Sequence, residues 1–183
     1  MPNRFDMIVI GTTAIALAAW VADSGSPAVA WLLIGAGALQ AVRLARWAGL
    51  RALRDPLVFV LHFSYAWLPV GLILLGCAML GHLLPISSAV HALGAGAMGA
   101  MTLAVMTRAT RGHTGRPLEA SRGTVVIYLL VHLGALLRVL APLLPMDYMV
   151  VIALAGGSWG GAFLLFLFLY VPMVLRPATE ANA

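Results

Sequence analysis

Lysine is absent from the 183 residues, cysteine occurs once, and charged side chains make up only 9% of the chain, against about 25% in a soluble domain. The shortage of charge, with 62% apolar residues and a mean hydropathy of +1.00, excludes a cytosolic enzyme and an extracellular binding module. The single Cys77 lies in an apolar run and rules out an intrachain disulfide, a Cys-x-x-Cys metal site and the Cys-x-x-Cys-His attachment of a covalent c-type haem. Carboxylates are scarce too: the six Asp and Glu fall in or beside loops, so a buried carboxylate relay or a pair of acid catalysts has no residues. No buried Ser-His-Asp set can be assembled. A chain of this length holds about six spans of ~20 residues and no separate soluble domain.

What is present is apolar runs and arginine. The runs predict an all-α polytopic membrane protein, a single domain over 1–183, with six transmembrane helices in one bundle at about 7–22, 28–42, 57–80, 88–107, 123–141 and 148–172. The first is read as a helix rather than a signal peptide, because a second span follows directly after the turn Asp23-Ser24-Gly25-Ser26-Pro27. Pro69 inside span three frees the carbonyl of Tyr65 and predicts a bend. Eleven arginines against six acids give a net charge of +5, a topology signal rather than a nucleic-acid footprint. Arg43, Arg46, Arg51 and Arg54 follow span two, with Trp47 as an interfacial anchor, and Arg108, Arg111, Arg116 and Arg122 follow span four. Placing those connectors inside collects ten of the eleven, Arg4 and Arg176 included, and makes both termini cytoplasmic.

Small residues recur every fourth position at Ala14, Ala18 and Ala22, at Ala92, Gly96, Ala100 and Ala104, and at Ala153, Gly157 and Gly161. These stripes are expected to be the helix–helix contacts. No internal repeat is visible, which argues against an inverted-repeat transporter.

His62, His91, His132 and Arg138 fall inside spans, where ionisable groups are costly and need partners. At ~1.5 Å per residue, His62 lies about 9 Å and His132 about 13 Å in from the arginine-rich side, so the two are expected to face each other. His91 and Arg138 share the opposite layer, with His82, Asp147 and Tyr148 in nearby loops. Three readings compete: haem iron held by imidazole with Arg138 at the propionates; copper bound by His with Met98, seven residues and hence two α-helical turns after His91; or interhelical hydrogen bonds that brace the bundle. Gly112-His113-Thr114-Gly115-Arg116-Pro117 lacks the Lys and spacing of a P-loop. Its arginines suit a lipid phosphate, a propionate or a partner's carboxylate.

The run His91 to Leu118, HALGAGAMGAMTLAVMTRATRGHTGRPL, resembles a signature of the NnrS family, bacterial polytopic membrane proteins associated with haem, copper and nitric oxide. The resemblance rests on the His-Ala-Leu opening, the Gly-rich helix, the Met-Thr-Arg exit and the Gly-His-Thr-Gly-Arg turn. Leu61-His62, Tyr65-Ala66-Trp67, Pro69-Val70-Gly71 and Leu136-Leu137-Arg138-Val139 look like its flanking helices, so the likeness covers about 43–176 and the family's C-terminal half. It implies an inner-membrane protein with haem, b-type in the absence of a covalent attachment, and copper as a further metal, acting in nitric oxide response, nitrosative stress resistance or denitrification. Family His positions carry over to His62, His91 and His113. His132 rests on depth alone. The cofactor-binding set expected from residues and resemblance together is His62, His91, His132, Arg138, His113, Arg108 and Arg116, with the metal on two of His62, His91 and His132. Typical members are about twice as long and carry a His-Glu-Met segment upstream, so either the six helices bind cofactor by themselves or a homo-oligomer or separate subunit completes the site. The remaining partner is membrane lipid, and no nucleic acid is expected. The alternative is a non-enzymatic membrane subunit or small transporter whose His residues bind copper or brace helices.

Overall fold

The helices begin where the sequence supplies a cap for the first unpaired N–H groups. In the computed structural model, which describes residues 3–47, 54–81 and 84–176, the Asn3 side chain accepts from the Asp6 N–H and opens α1 (Arg4–Ala22), and Pro27 starts α2 (Pro27–Ala45). The Asp55 carboxylate accepts from Leu57 N–H to open α3 (Pro56–Met79). A single long helix, α4, runs over Ile86–His113. Ser121 caps α5 (Arg122–Leu140) and Asp147 caps α6 (Tyr148–Leu175). All six are long and apolar enough to cross a membrane, and no strand occurs among the described residues. The chain is a multi-pass membrane protein. Arg51 and His82 lie outside the described residues.

Because the helices alternate in direction, Arg4, Arg43, Arg46, Arg54, Arg108, Arg111, Arg116, Arg122 and Arg176 collect at one end of the bundle and Arg138 near the other. Helix α4 stays helical past Arg108 to His113, about two turns beyond the expected end of the span. Pro69 does not interrupt α3.

The bundle packs as two connected cores. One, near the arginine-rich end, gathers Leu57, Leu103, Ile127, Phe166 and Tyr170 from α3 to α6; the other joins Ala16, Leu33, Leu72 and Ala89 from α1 to α4. The outer surface is apolar, with Phe168 and Leu175 about three-quarters exposed, as lipid-facing positions are. A polar ladder ties the first three helices. Gln40 Nε2 donates to Thr13 Oγ1 (2.8 Å), Tyr65 donates to Gln40 Oε1, Arg43 donates to Tyr65 (2.7 Å), and Arg43 pairs with Asp6 (3.1 Å). Buried hydroxyl pairs, Thr107 with Tyr128 and Thr124 with Tyr170, join α4 to α5 and α5 to α6.

The expected small-residue stripes divide. Ala92, Gly96, Ala100 and Ala104 are buried. The other two face outward. In α1 the buried positions are Val9, Thr13 and Ala16 instead of Ala14, Ala18 and Ala22; in α6 they are Val151, Ala155, Ala162, Phe166 and Tyr170 instead of Ala153, Gly157 and Gly161. Recurrence of small residues measures how close a neighbour is allowed to come, and lipid tolerates such a face as well as a helix does. The close α5–α6 approach is made by Gly134, where an added Cβ would sit 2.7 Å from Trp159 N and 2.8 Å from Ala155 O. Gly134→Ala is expected to cost about 1–3 kcal/mol by overpacking and to lower the thermal midpoint in detergent. Gly157→Ala, whose Cβ would meet nothing within 4 Å, is expected to leave the midpoint unchanged.

Candidate functional site

The sequence ALGAGAMGA over 92–100 holds no side chain larger than Leu or Met, and two tryptophans press on it. Trp67 of α3 lies against Gly96, where a Cβ would come within 2.5 Å of Trp67 Cδ2, and Trp159 of α6 lies against Gly99, at 2.9 Å from Nε1. Over Ala92–Ala100 the backbone of α4 opens into a π-helix, closed by i→i+5 bonds. Trp159 Nε1–H donates to Ala95 O (3.2 Å), which fixes the indole.

Directly ahead of this wide segment lies a cavity of about 470 Å3 bounded by α4, α5 and α6. Its walls are His91, Gly94 and Ala95 on α4, Gly134 and Arg138 on α5, and Ile152, Ala155, Gly156 and Trp159 on α6. His91 Nδ1 lies 2.6 Å from the Ser87 carbonyl. Only a donor satisfies a carbonyl, so the neutral ring carries its proton on Nδ1 and keeps a lone pair on Nε2. Arg138 Nη1 reaches Tyr148 Oη at 3.5 Å, the limit of a hydrogen bond, and leaves its other donors for the cavity. The expected meeting of His91 and Arg138 in one layer is therefore found, with Tyr148 beside them. Among the described residues no group of three or more His, Cys, Asp or Glu comes together as a metal cage.

The other two intramembrane histidines are elsewhere, and the expected His62–His132 pair does not form. His132 Nδ1 accepts from Trp67 Nε1–H (3.0 Å), its Nε2 lies 3.5 Å from Ser64 Oγ, and Phe63 meets the ring edge-on at 4.5 Å. Nδ1 is the acceptor, so the proton of the neutral ring is on Nε2 and both nitrogens are engaged. This is the interhelical brace. His62 is five residues before Trp67, about 140° around α3 at 100° per residue, and so looks away from His132. Its Nδ1 lies 3.0 Å from Val58 O, and its ring meets Trp47 edge-on at 6.1 Å. Depth was legible in the sequence. Azimuth was not. Met98 is 72% exposed and does not line the cavity, because seven residues no longer make two turns once the turn is closed by i→i+5 bonds.

At the arginine-rich end, Arg116 is occupied by the last turn of α6, donating to Met173 O (3.1 Å) and Arg176 O (3.0 Å), where a cation suits the helix C-terminus. Arg111 closes its own loop through Pro117 O (2.8 Å). Arg108 and His113 line a separate groove, so neither they nor Arg116 join His91 and Arg138.

Set against known families, the model of the NnrS protein family matches residues 1–178. The chain belongs to the NnrS family. The match takes in the first two helices as well, beyond the 43–176 expected from the motifs. No curated protein matches, and no solved structure matches. In this NnrS chain the motif reading named His91 and Arg138 but missed Trp159 and Gly134, which complete the cavity, and Gln40, whose amide in an apolar span was a signal of a buried partner.

The brace assigned to His132 is measurable. A double-mutant cycle over Trp67→Phe and His132→Ala, read by unfolding in detergent, is expected to give a coupling of about 0.6 kcal/mol and at most ~1.7, the range for hydrogen bonds between membrane helices. Purely additive effects contradict the brace.

Proposed function

We infer that the cavity at the His91 end of this chain, a nitric-oxide-related membrane protein by family membership, is where a b-type haem would be held on His91 and would supply an iron that takes nitric oxide. The observation that carries this reading is His91 itself, an imidazole with Nδ1–H committed to Ser87 O and Nε2 without a protein partner, on the wall of a 470 Å3 space that also contains Arg138.

The residues suit the group. A carbonyl acceptor behind a histidine fixes its ring and raises the basicity of the other nitrogen, the support that metal-bound imidazoles share. The walls apart from His91 and Arg138 are mostly apolar, and a Cβ on Gly94 or Gly156 would meet nothing within 4 Å, so their bare backbone leaves space for a planar ligand. Arg138 offers a planar fork for carboxylates. The volume is that of a cofactor pocket. Copper, which prefers several nitrogen or sulfur donors, finds among the described lining residues one imidazole and no thioether.

Bound haem supplies an iron on which a diatomic gas coordinates. The protein's part follows from the remaining side chains. His91 holds and orients from one side. The other lining residues Gly134, Ala155, Ile152 and Trp159 offer no further metal ligand among the described residues, so a haem held here would rely on His91 and would supply an iron free to take a gas. Gly94 and Gly156 are exposed on the lipid-facing side and give an apolar gas a route from the hydrocarbon. Trp159, held by Ala95 O, keeps water from the inner wall. We place the arginine-rich end in the cytoplasm of a bacterial inner membrane, with both termini on that side, because arginine retention sets orientation.

The test is an absorption spectrum with pyridine haemochrome and metal analysis of the purified chain and its variants. The wild type is expected to carry haem, with His91→Ala removing the Soret band and Arg138→Gln weakening retention. His62→Ala and His132→Ala are expected to keep the band. A colourless, iron-free wild type, or a band that survives His91→Ala unchanged, overturns the reading.

A further inference from the structure

At the arginine-rich end, three arginines and a histidine in the stretch 108–116 divide in two. Arg111 and Arg116 are spent on backbone carbonyls. Arg108 and His113 have no hydrogen-bond or ion-pair partner among the described residues, where the only ion pair is Asp6–Arg43, and Glu119, three residues past Arg116, is exposed and unpaired. The two line a groove of about 350 Å3 whose other walls include Leu61 of α3, Val105 of α4 and Leu118 of the loop. Val105 is 49% and Leu118 46% exposed. The site is thus half cationic and half apolar, and it sits where the apolar part of α4 gives way to its polar end.

We propose that this groove binds a phospholipid with an anionic headgroup, its phosphate on Arg108 and His113 and an acyl chain along Leu61, Val105 and Leu118. Charge complementarity selects the headgroup. A guanidinium in a partly dehydrated groove, with no carboxylate paired to it, favours a phosphate oxygen through charge-assisted hydrogen bonds. The neighbouring Arg111 and Arg116 add a field that disfavours a headgroup amine. The apolar walls select a lipid over a soluble anion, since inorganic phosphate gains nothing from Leu61 or Val105, whereas a chain removes them from contact with the headgroup layer. Fixing Arg111 and Arg116 to carbonyls serves this site as well, because they hold the end of α4 that carries His113 and the loop that carries Leu118. The groove lies apart from the outer cavity, and lipid binding there is independent of haem.

The full chain in a neutral detergent is titrated with phosphatidylglycerol, phosphatidylcholine or inorganic phosphate, with bound lipid read by native mass spectrometry and the thermal midpoint followed in parallel. Phosphatidylglycerol is expected to remain bound and raise the midpoint, phosphatidylcholine and phosphate to do neither. Arg108→Gln is expected to weaken the phosphatidylglycerol effect by about tenfold, the loss of one hydrogen bond to a charged group. Arg46→Gln, at the same end but stacked over Phe5 at 4.5 Å, is expected to leave it unchanged. If Arg108→Gln does not fold, His113→Gln at an exposed position is expected to show a smaller weakening of the same sign. Equal retention of phosphatidylglycerol by wild type and both variants overturns the site. A matching response to phosphatidylcholine overturns the headgroup assignment, and one to phosphate alone overturns the lipid.

Discussion

In hydrocarbon a donor has no water to fall back on, so a polar side chain carried into the bundle is costly unless it finds a partner on a helix, its own or another; among the described residues the buried side-chain groups left without one are the Trp20 indole N–H and the Ser88 hydroxyl. That constraint organises the NnrS chain. Gln40 spans from Thr13 to Tyr65, Tyr128 and Tyr170 close on threonines, Trp67 gives its N–H to His132 and Trp159 gives its own to Ala95 O. Each bond is individually modest. Their joint effect is positional: lipid resists burial of an orphaned polar group, so the helices are held at the rotations that satisfy all of them at once. Rotation about the axis is what a bundle with an apolar exterior otherwise specifies poorly.

The three intramembrane histidines have different tasks because their first nitrogen meets different partners. His132 receives a proton donor on Nδ1 and so has its second nitrogen protonated and turned to Ser64. His91 and His62 give Nδ1–H to the carbonyl four residues upstream and keep Nε2 free. Of these two, only His91 borders the outer cavity. A single hydrogen bond thus separates an imidazole with both nitrogens engaged from one whose Nε2 has no protein partner, although both lie within apolar spans.

The same constraint divides what is legible in the amino-acid sequence from what is not. Six membrane-length helices are legible, since apolar runs and arginine clusters are nearly the whole signal in such a chain. The depth of His91 and Arg138 followed from rise per residue, and the structure places them in one cavity. Facing directions did not follow. The stripes Ala14, Ala18, Ala22 and Ala153, Gly157, Gly161 look inward by period and outward in fact, because a small residue permits contact without requiring it. Met98 fell off the His91 face because the π-helical stretch changes the residues per turn, and nothing in a run of Gly and Ala announces that change.

The glycines of that stretch and its neighbours are of two kinds. At Gly96, Gly99 and Gly134 a methyl group would strike Trp67 or Trp159. These positions let large aromatic rings reach the backbone, and without them the rings that bind His132 and Ala95 O could not sit where they do. At Gly94 and Gly156 a methyl group would strike nothing, yet both border the space beside His91. Close packing fills interiors to crystal-like density, and a glycine facing a void lowers that density without lowering strain. Tight glycines hold the wall that Trp159 forms, while loose ones keep the room in front of His91 empty of side chains.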